Sequence, residues 1–438
     1  MGTGGLDLEH YFRWRRARDG DPFRIRFPGL GTCVCTGTPA GARELFRAPI
    51  DLLAPPLPNP IEPMVGAASL ILARPEKHRP ERALLAPAFH HTRIAHYGTV
   101  IRDVTRAELN GDRTGQAWRP GARVDARAAA RAMTLRVILA AVFGIDDARR
   151  QAEYTVATMD FVTSFSGVLM LAPALRRNLL GLSGWERFRA ARDRLDALID
   201  ADIARRRAGS GQAGHDGSDV LALLLATRYA DGTAMTDTEL REQVRTLLVA
   251  GHETTATALV WALYRLHREP ATLARLRTEL AAAGTDLDPG ELAELPYLDA
   301  VCQETLRLHP PVPIVLRRLT GDFTLRGTAL VTGDTMGLIV PLLHSDATVW
   351  EAPRLFRPER FLERHYSPFE FAPFGGGHRR CIGAALAEYE MRIVLATVLN
   401  TVRLRLSPRF ARGRVPWTVP HNIATGPHAA ITFEVAAS

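Results

Sequence analysis

Lysine is almost missing from this 438-residue chain: of 55 basic residues, Lys77 is the one lysine and the others are arginines spread along the sequence. Arginine keeps its charge and grips carboxylates and phosphates in fork geometry, which would suit anion recognition. The abundance of alanine alongside it points rather to codon composition. Against 47 acidic residues the net charge is +8, but no clustered basic face, zinc-finger or basic-zipper pattern accompanies it, which argues against nucleic acid as a partner. Cysteine is scarce as well. Cys33, Cys35, Cys302 and Cys381 are too few for the disulfide framework of a small secreted domain, and a reducing cytoplasm fits them better. Long apolar runs are lacking: 137–145 and 167–175, the latter broken by Pro173, fall short of the roughly 18 residues that span a bilayer. The first 18 residues are polar and charged and carry no signal-peptide pattern. A soluble cytoplasmic protein without a membrane anchor is the expectation.

What is present reads as a packed globular chain, 46% hydrophobic and 23% charged. Phe23, Ile25 and Phe27 alternate with Arg24 and Arg26, a turn follows at 28–31, and 32–36 returns as a second strand, so a hairpin is predicted after an irregular extension over 1–20. Residues 124–145 have helical spacing, and helical character persists to about 309, with one Gly/Ser-rich surface loop at 208–218. Thr236 and Glu239 form a capping-box pattern that opens the longest helix, and Pro270 closes it. About 32 residues at about 1.5 Å each give roughly 48 Å, enough to cross the molecule. Gly251, Thr254 and Thr255, poor helix formers, stand in its middle. Two readings remain open there: a ligand passing close to the backbone, or two helices crossing at a glycine. Beyond 320 come short β-prone runs, such as 330–340 around Gly333 and Asp334, and then a helix over 383–399. The fold class expected is mainly α with small β-sheets.

The most informative segment is Phe374-Gly375-Gly376-Gly377-His378-Arg379-Arg380-Cys381-Ile382-Gly383. Glycines around a cysteine let backbone amides approach the sulfur, and the following helix brings its positive end near. Those amides, the helix end and Arg379 are expected to stabilise a thiolate and lower its pKa. Competing motifs fail on residue type. The glycines lack the Gly-Lys-Ser/Thr ending of a phosphate-binding loop, and His252-Glu253 would need a second histidine where Ala256 stands. Cys33-Val34-Cys35 has no second Cys/His pair at zinc spacing, so a strand turning both thiols to one side accounts for it.

Phe374, Gly377, Arg379, Cys381 and Gly383 match the haem-binding signature Phe-x-x-Gly-x-Arg-x-Cys-x-Gly, and the chain resembles the cytochrome P450 family. Three further motifs agree in order: 250–255 (Ala-Gly-His-Glu-Thr-Thr) is similar to the family's oxygen-activating helix, Glu304 and Arg307 to its Glu-x-x-Arg pair, and 358–361 (Pro-Glu-Arg-Phe), with Arg360, to the loop that completes that network. The resemblance runs from about residue 20 to the carboxyl end and implies one large domain over 1–438, of the bacterial soluble type. It implies haem b with Cys381 as thiolate ligand of the iron. His78, Arg82, Arg317 and Arg379 are the implied partners of the two propionates, with Arg318 leaving the register of Arg317 open. Thr254 and Glu253 are the implied proton carriers, and Ala250 and Gly251 leave space for dioxygen and substrate.

By the same resemblance, 55–65, 165–171, 247–250, 313–316 and 423–425 line a mostly apolar pocket. The reaction implied is hydroxylation or epoxidation of a hydrophobic molecule such as a terpenoid, steroid, polyketide or fatty acid, with a slight lean to a terpenoid natural product. Electrons would come from an external ferredoxin or flavodoxin with its reductase. Desaturation, ring coupling or peroxide-driven oxidation is the enzymatic alternative, and a non-catalytic haem sensor or carrier the alternative of another class.

Overall fold

The computed structural model describes residues 8–27, 30–112, 115–145, 147–178, 183–208, 219–284 and 287–437. Of the loop read at 208–218, all but residue 208 lies outside them. The amino-terminal segment corrects the expectation of an irregular extension, because Leu8–Asp19 is a helix. Ion pairs at helical spacing, Glu9 with Arg13 and Arg15 with Asp19, support it, and Phe12 anchors it at 1% exposure.

The predicted hairpin forms as the strands Phe23–Phe27 and Gly31–Thr36, with Phe23 opposite Cys35 and Ile25 opposite Cys33. It is one edge of a five-stranded sheet whose other members are Thr335–Ile339, Ile314–Leu319 and Leu53–Ala54. Cys33 and Cys35 are two apart on one strand and therefore share a face, buried with Phe23 and Ile25. Short sheets of two and three strands complete the β content, and helices make up the rest.

The long helix spans Asp237–Arg268. Thr236 accepts from the Glu239 amide while Glu239 accepts from the Thr236 amide, so the capping box is formed as read. The next helix starts at Pro270. Between Gln243 and Tyr264 every side chain of the long helix is buried except at Ala250, Gly251 and Thr254, which share one accessible stretch in mid-span. The helix Ala126–Phe143 crosses it. A Cβ added to Gly251 would stand 2.8 Å from Ile138 Cδ1 of that helix. The glycine is thus explained by close helix crossing, and the space it vacates is taken by Ile138 rather than left for dioxygen or substrate.

Candidate active site

The cysteine loop is shaped by its glycines. Gly375 and Gly377 have φ of +66° and +64°, a region that a Cβ makes costly. A Cβ on Gly377 would lie 2.3 Å from the Phe46 carbonyl oxygen, and one on Gly376 would lie 2.4 Å from the Phe46 ring. The helix Pro39–Arg47 can therefore rest on the loop only where side chains are missing. The Cys381 amide donates to the Phe374 carbonyl at 3.0 Å, closing the loop, and the helix Ala384–Thr401 follows. Cys381 is accessible, whereas the other three thiols are buried. The lowered thiol pKa expected from the sequence is not what the protein alone produces. Burial among neighbouring atoms pushes the thiol up, more than the Gly383 amide, Arg380 and Arg82 pull it down. Coordination by a metal ion would deprotonate it outright.

Behind the loop, Glu304 and Arg307 sit on the helix Pro296–Leu308, both fully buried. Glu304 accepts from Arg307 Nε at 2.6 Å and Nη2 at 2.7 Å, from the Arg357 amide at 2.8 Å and from Arg360 Nε at 3.2 Å. Arg307 also donates to the carbonyls of His344, Pro353 and Leu355 and lies over the Trp350 ring. His344 links this knot to the cysteine loop: Nδ1 meets the Arg307 carbonyl at 3.0 Å and Nε2 accepts from the Ala372 amide at 2.9 Å. That requires a neutral ring, and burial lowers its pKa to about 3.

His78 and Arg82 lie on the helix Pro75–Leu85, which runs on through Pro80. Burial lowers the His78 pKa to about 4, helped by Arg379, Arg82, Arg317 and His378, so three arginines converge on the imidazole. Arg82 Nη1 donates to the Arg380 carbonyl at 2.8 Å, and Arg379 Nη2 to the carbonyls of Leu53 and Ala73. Burial and neighbouring Arg379 bring Arg317 down to about 9. It is therefore Arg317, alternating on its strand with Arg318, that faces the cluster. Among the described residues none of the four is ion-paired with a carboxylate, and buried His78 Nδ1 and Arg379 Nε lack partners. Cations gathered without counter-charge are costly unless an anion joins them. Haem, with two propionates, fits this donor set and the accessible sulfur beside it.

On the long helix, Thr254 donates to the Ala250 carbonyl at 2.7 Å. Glu253, 2% exposed, is clamped by Arg131 of the crossing helix, with Nε at 2.7 Å and Nη2 at 2.8 Å. Burial works against its charge, yet His252, Arg131 and the Asn422 side chain hold its carboxyl below the usual range. Because burial takes His252 itself down to about 4, the ring is neutral near pH 7, and Arg131 and Asn422 do the holding. Arg131, Asn422 and His344 escaped the sequence reading, since each lies far from its partner along the chain.

The pocket segments read from the sequence come together in part. Phe165, Leu169, Leu247, Met64 and Val65 belong to one buried apolar cluster, against which Ile423 and Ile382, next to Cys381, are packed. Ile314 and Leu316 pack instead against the cluster around Phe12 and Phe23. Arg176 ties two of these segments: it donates to the carbonyls of Pro60, Leu169 and Met170 and lies over the rings of Phe165 and Trp185. Beside it opens a cleft of about 590 Å³ that also reaches Arg241, Glu242, Arg245 and Asp196. It takes in Pro58, Asn59, Glu62 and Pro63 of the segment read as pocket lining, but its wall is polar and ion-paired and includes none of the candidate haem or proton residues, so it is not the seat of the chemistry.

Comparison with known proteins agrees with this geometry. The cytochrome P450 family model matches residues 7–415. The Mycobacterium tuberculosis protein described as cytochrome P450 135B1 is 36% identical over 405 residues, covering 91% of this chain and 82% of the relative. Another protein from that organism, described as cytochrome P450 138, is 34% identical over 389 residues, 87% of this chain and 82% of its own length. In fold, the chain is similar to retinoic acid-bound cyanobacterial CYP120A1, with a TM-score of 0.84, 24% identity and coverage of 100% of this chain and 95% of the other. With four motifs, the buried Glu304–Arg307–Arg360 knot and this match across nearly its whole length, the chain belongs to the cytochrome P450 family, oxidoreductases that carry haem b on a cysteine thiolate and act as monooxygenases.

Proposed function

We propose that this chain is a cytoplasmic monooxygenase that inserts one oxygen atom of dioxygen into a hydrophobic natural product, of terpenoid or similar class, with Cys381 as the ligand of the haem iron. The observation that carries this reading is the convergence of His78, Arg82, Arg317 and Arg379, without a carboxylate among the described residues, next to the loop that bears Cys381. Thiolate-ligated haem, when bound, supplies the reductive activation of dioxygen.

The protein's own residues do the rest. Arg317 and Arg379, with His78 and Arg82, hold the two propionates by charge-assisted hydrogen bonds. Phe374 and Gly383 flank the sulfur and shape its loop, Ala250 keeps the accessible stretch of the long helix low, and Gly251 admits Ile138 of the crossing helix beneath it. Thr254 exchanges its bond to the Ala250 carbonyl for a water and presents that water's proton at its hydroxyl. Glu253 supplies protons to this water from the cluster it shares with Arg131 and Asn422. The apolar cluster that reaches Ile382 excludes water and suits a lipophilic substrate. Electrons come from an acidic ferredoxin or flavodoxin docking near Arg380, an encounter that weakens with salt.

The test is spectroscopic, then catalytic. The reduced protein gives the thiolate-type carbon monoxide spectrum, Cys381→Ser loses it, and titration with a lipophilic library finds ligands that displace water from the iron. Absence of haem, or an imidazole-type spectrum, would overturn the assignment. Ligand binding without reductase-coupled product would favour a sensor or carrier.

A further inference from the structure

From the end of the helix Ala384–Thr401 as far as residue 433, the chain carries charge of a single sign. Residues 391–433 contain no Asp or Glu, although the protein has 47 of them, while Arg403, Arg405, Arg409, Arg412 and Arg414 crowd into twelve positions. Codon bias toward arginine would supply the cations but would not remove the acids. All five arginines are exposed, and none is ion-paired among the described residues.

They lie along one exposed stretch, a short strand and the turn that follows it. Arg405 points outward from the strand Leu404–Leu406, whose two leucines are buried, and its register partner Glu434 also stands opposite Arg123. The turn Pro408–Arg412 is pinned by Arg268, whose Nη1 donates to the Phe410 carbonyl at 2.8 Å and the Gly413 carbonyl at 2.7 Å. Val415 and Trp417, 41% and 42% exposed, border the arginines. The Trp417 ring stacks on His428 with centroids 3.4 Å apart and planes at 3°, and the His428 amide donates to the Trp417 carbonyl. One face of the indole is thereby fixed and the other offered to solvent.

We infer that this stretch, residues 403–417, docks on an anionic lipid surface. Guanidinium groups pair with headgroup phosphates in fork geometry, and an indole beside an exposed valine settles at headgroup depth, apolar on one side and wet on the other. An acidic protein would answer the charge alone but leaves the paired apolar side chains unexplained. The contact is peripheral, since no single helix among the described residues is long and apolar enough to cross a membrane. It does not depend on the proposed reaction.

Holoprotein is sedimented with phosphatidylcholine vesicles, with and without phosphatidylglycerol. Binding is expected only with the anionic lipid, and it should fade as salt rises. At about fivefold per arginine, the triple variant R409Q/R412Q/R414Q should partition on the order of a hundredfold less, with its carbon monoxide spectrum unchanged. Brominated lipid should quench the wild type more than Trp417→Phe. Equal binding to both vesicles, or full binding by the triple variant, would overturn the inference. So would capture of an acidic ferredoxin through these arginines with no binding to vesicles.

Discussion

Arg131 holds Glu253 with two nitrogens, while Thr254, the next residue, is bonded among the described residues only to the Ala250 carbonyl of its own helix. Neighbours in sequence, the two sit about 100° apart around the helix, and their side chains belong to separate networks. The acid is turned toward the crossing helix, so the proton supply to Thr254 that we propose would require the pair with Arg131 to loosen.

Arg131→Gln should therefore move the pH profile. Burial raises the Glu253 carboxyl pKa, and without the guanidinium that effect wins, so the acid stays protonated to higher pH. The coupling of electron use to product should reach its optimum at higher pH than in wild type. A carboxylic C=O infrared band that vanishes in the double variant with Glu253→Gln should appear. An unchanged profile with no new band would mean that Arg131 does not govern the acid.

Thr254→Ala removes the hydroxyl without disturbing the neighbouring pair. Product formation should fall by roughly 10², with electrons diverted to peroxide and ligand affinity nearly unchanged. Measuring peroxide and product per NADPH checks this, and wild-type coupling in the variant would take Thr254 out of the relay.

Glu304→Ala leaves two buried guanidinium groups facing each other uncompensated, a loss of about 3–5 kcal/mol. Arg360→Ala leaves Glu304 still paired with Arg307, so it should cost less. Haem retention and Tm should fall in that order, and equal losses would contradict the network.

Gly377→Ala combines a left-handed backbone with a Cβ 2.3 Å from the Phe46 carbonyl oxygen. Gly20→Ala has the same kind of backbone, at φ +83°, with nothing near, and should cost about 1–2 kcal/mol. Gly377→Ala should cost more and reduce haem content. Comparable Tm values for the two variants would show that the loop can give way.

Acid should weaken the fold through its buried histidines. His252, His267 and His421 are lowered to about 4 and His344 to about 3, each mainly by burial. Between their ordinary pKa near 6.5 and these values, the unfolded chain binds protons that the folded chain refuses, so stability declines as pH falls through that window. Calorimetry should show Tm dropping steadily from pH 7 to pH 5; a flat Tm would count against neutral buried rings.

The long helix, the hairpin and the cysteine loop were legible because caps, alternation and glycines write local structure directly into sequence. The Glu304 knot was legible as letters, but its complete burial was not, since Glu-x-x-Arg on any helix could as well be a surface pair. Gly251 shows the limit. Sequence left open a ligand or a crossing helix, and only the position of Ile138, more than a hundred residues earlier, decides for the crossing. The amino-terminal helix was missed because Phe12 gains its burial from the hairpin that follows and from Ile339 and Leu342, more than three hundred residues later in the chain.

Arg176 has a consequence for motion. Its acceptors are main-chain oxygens on two stretches of chain separated by more than a hundred residues, Pro60 on one side and Leu169 and Met170 on the other. The two can part only if Arg176 gives up the Pro60 carbonyl, so a single guanidinium fastens one stretch to the other.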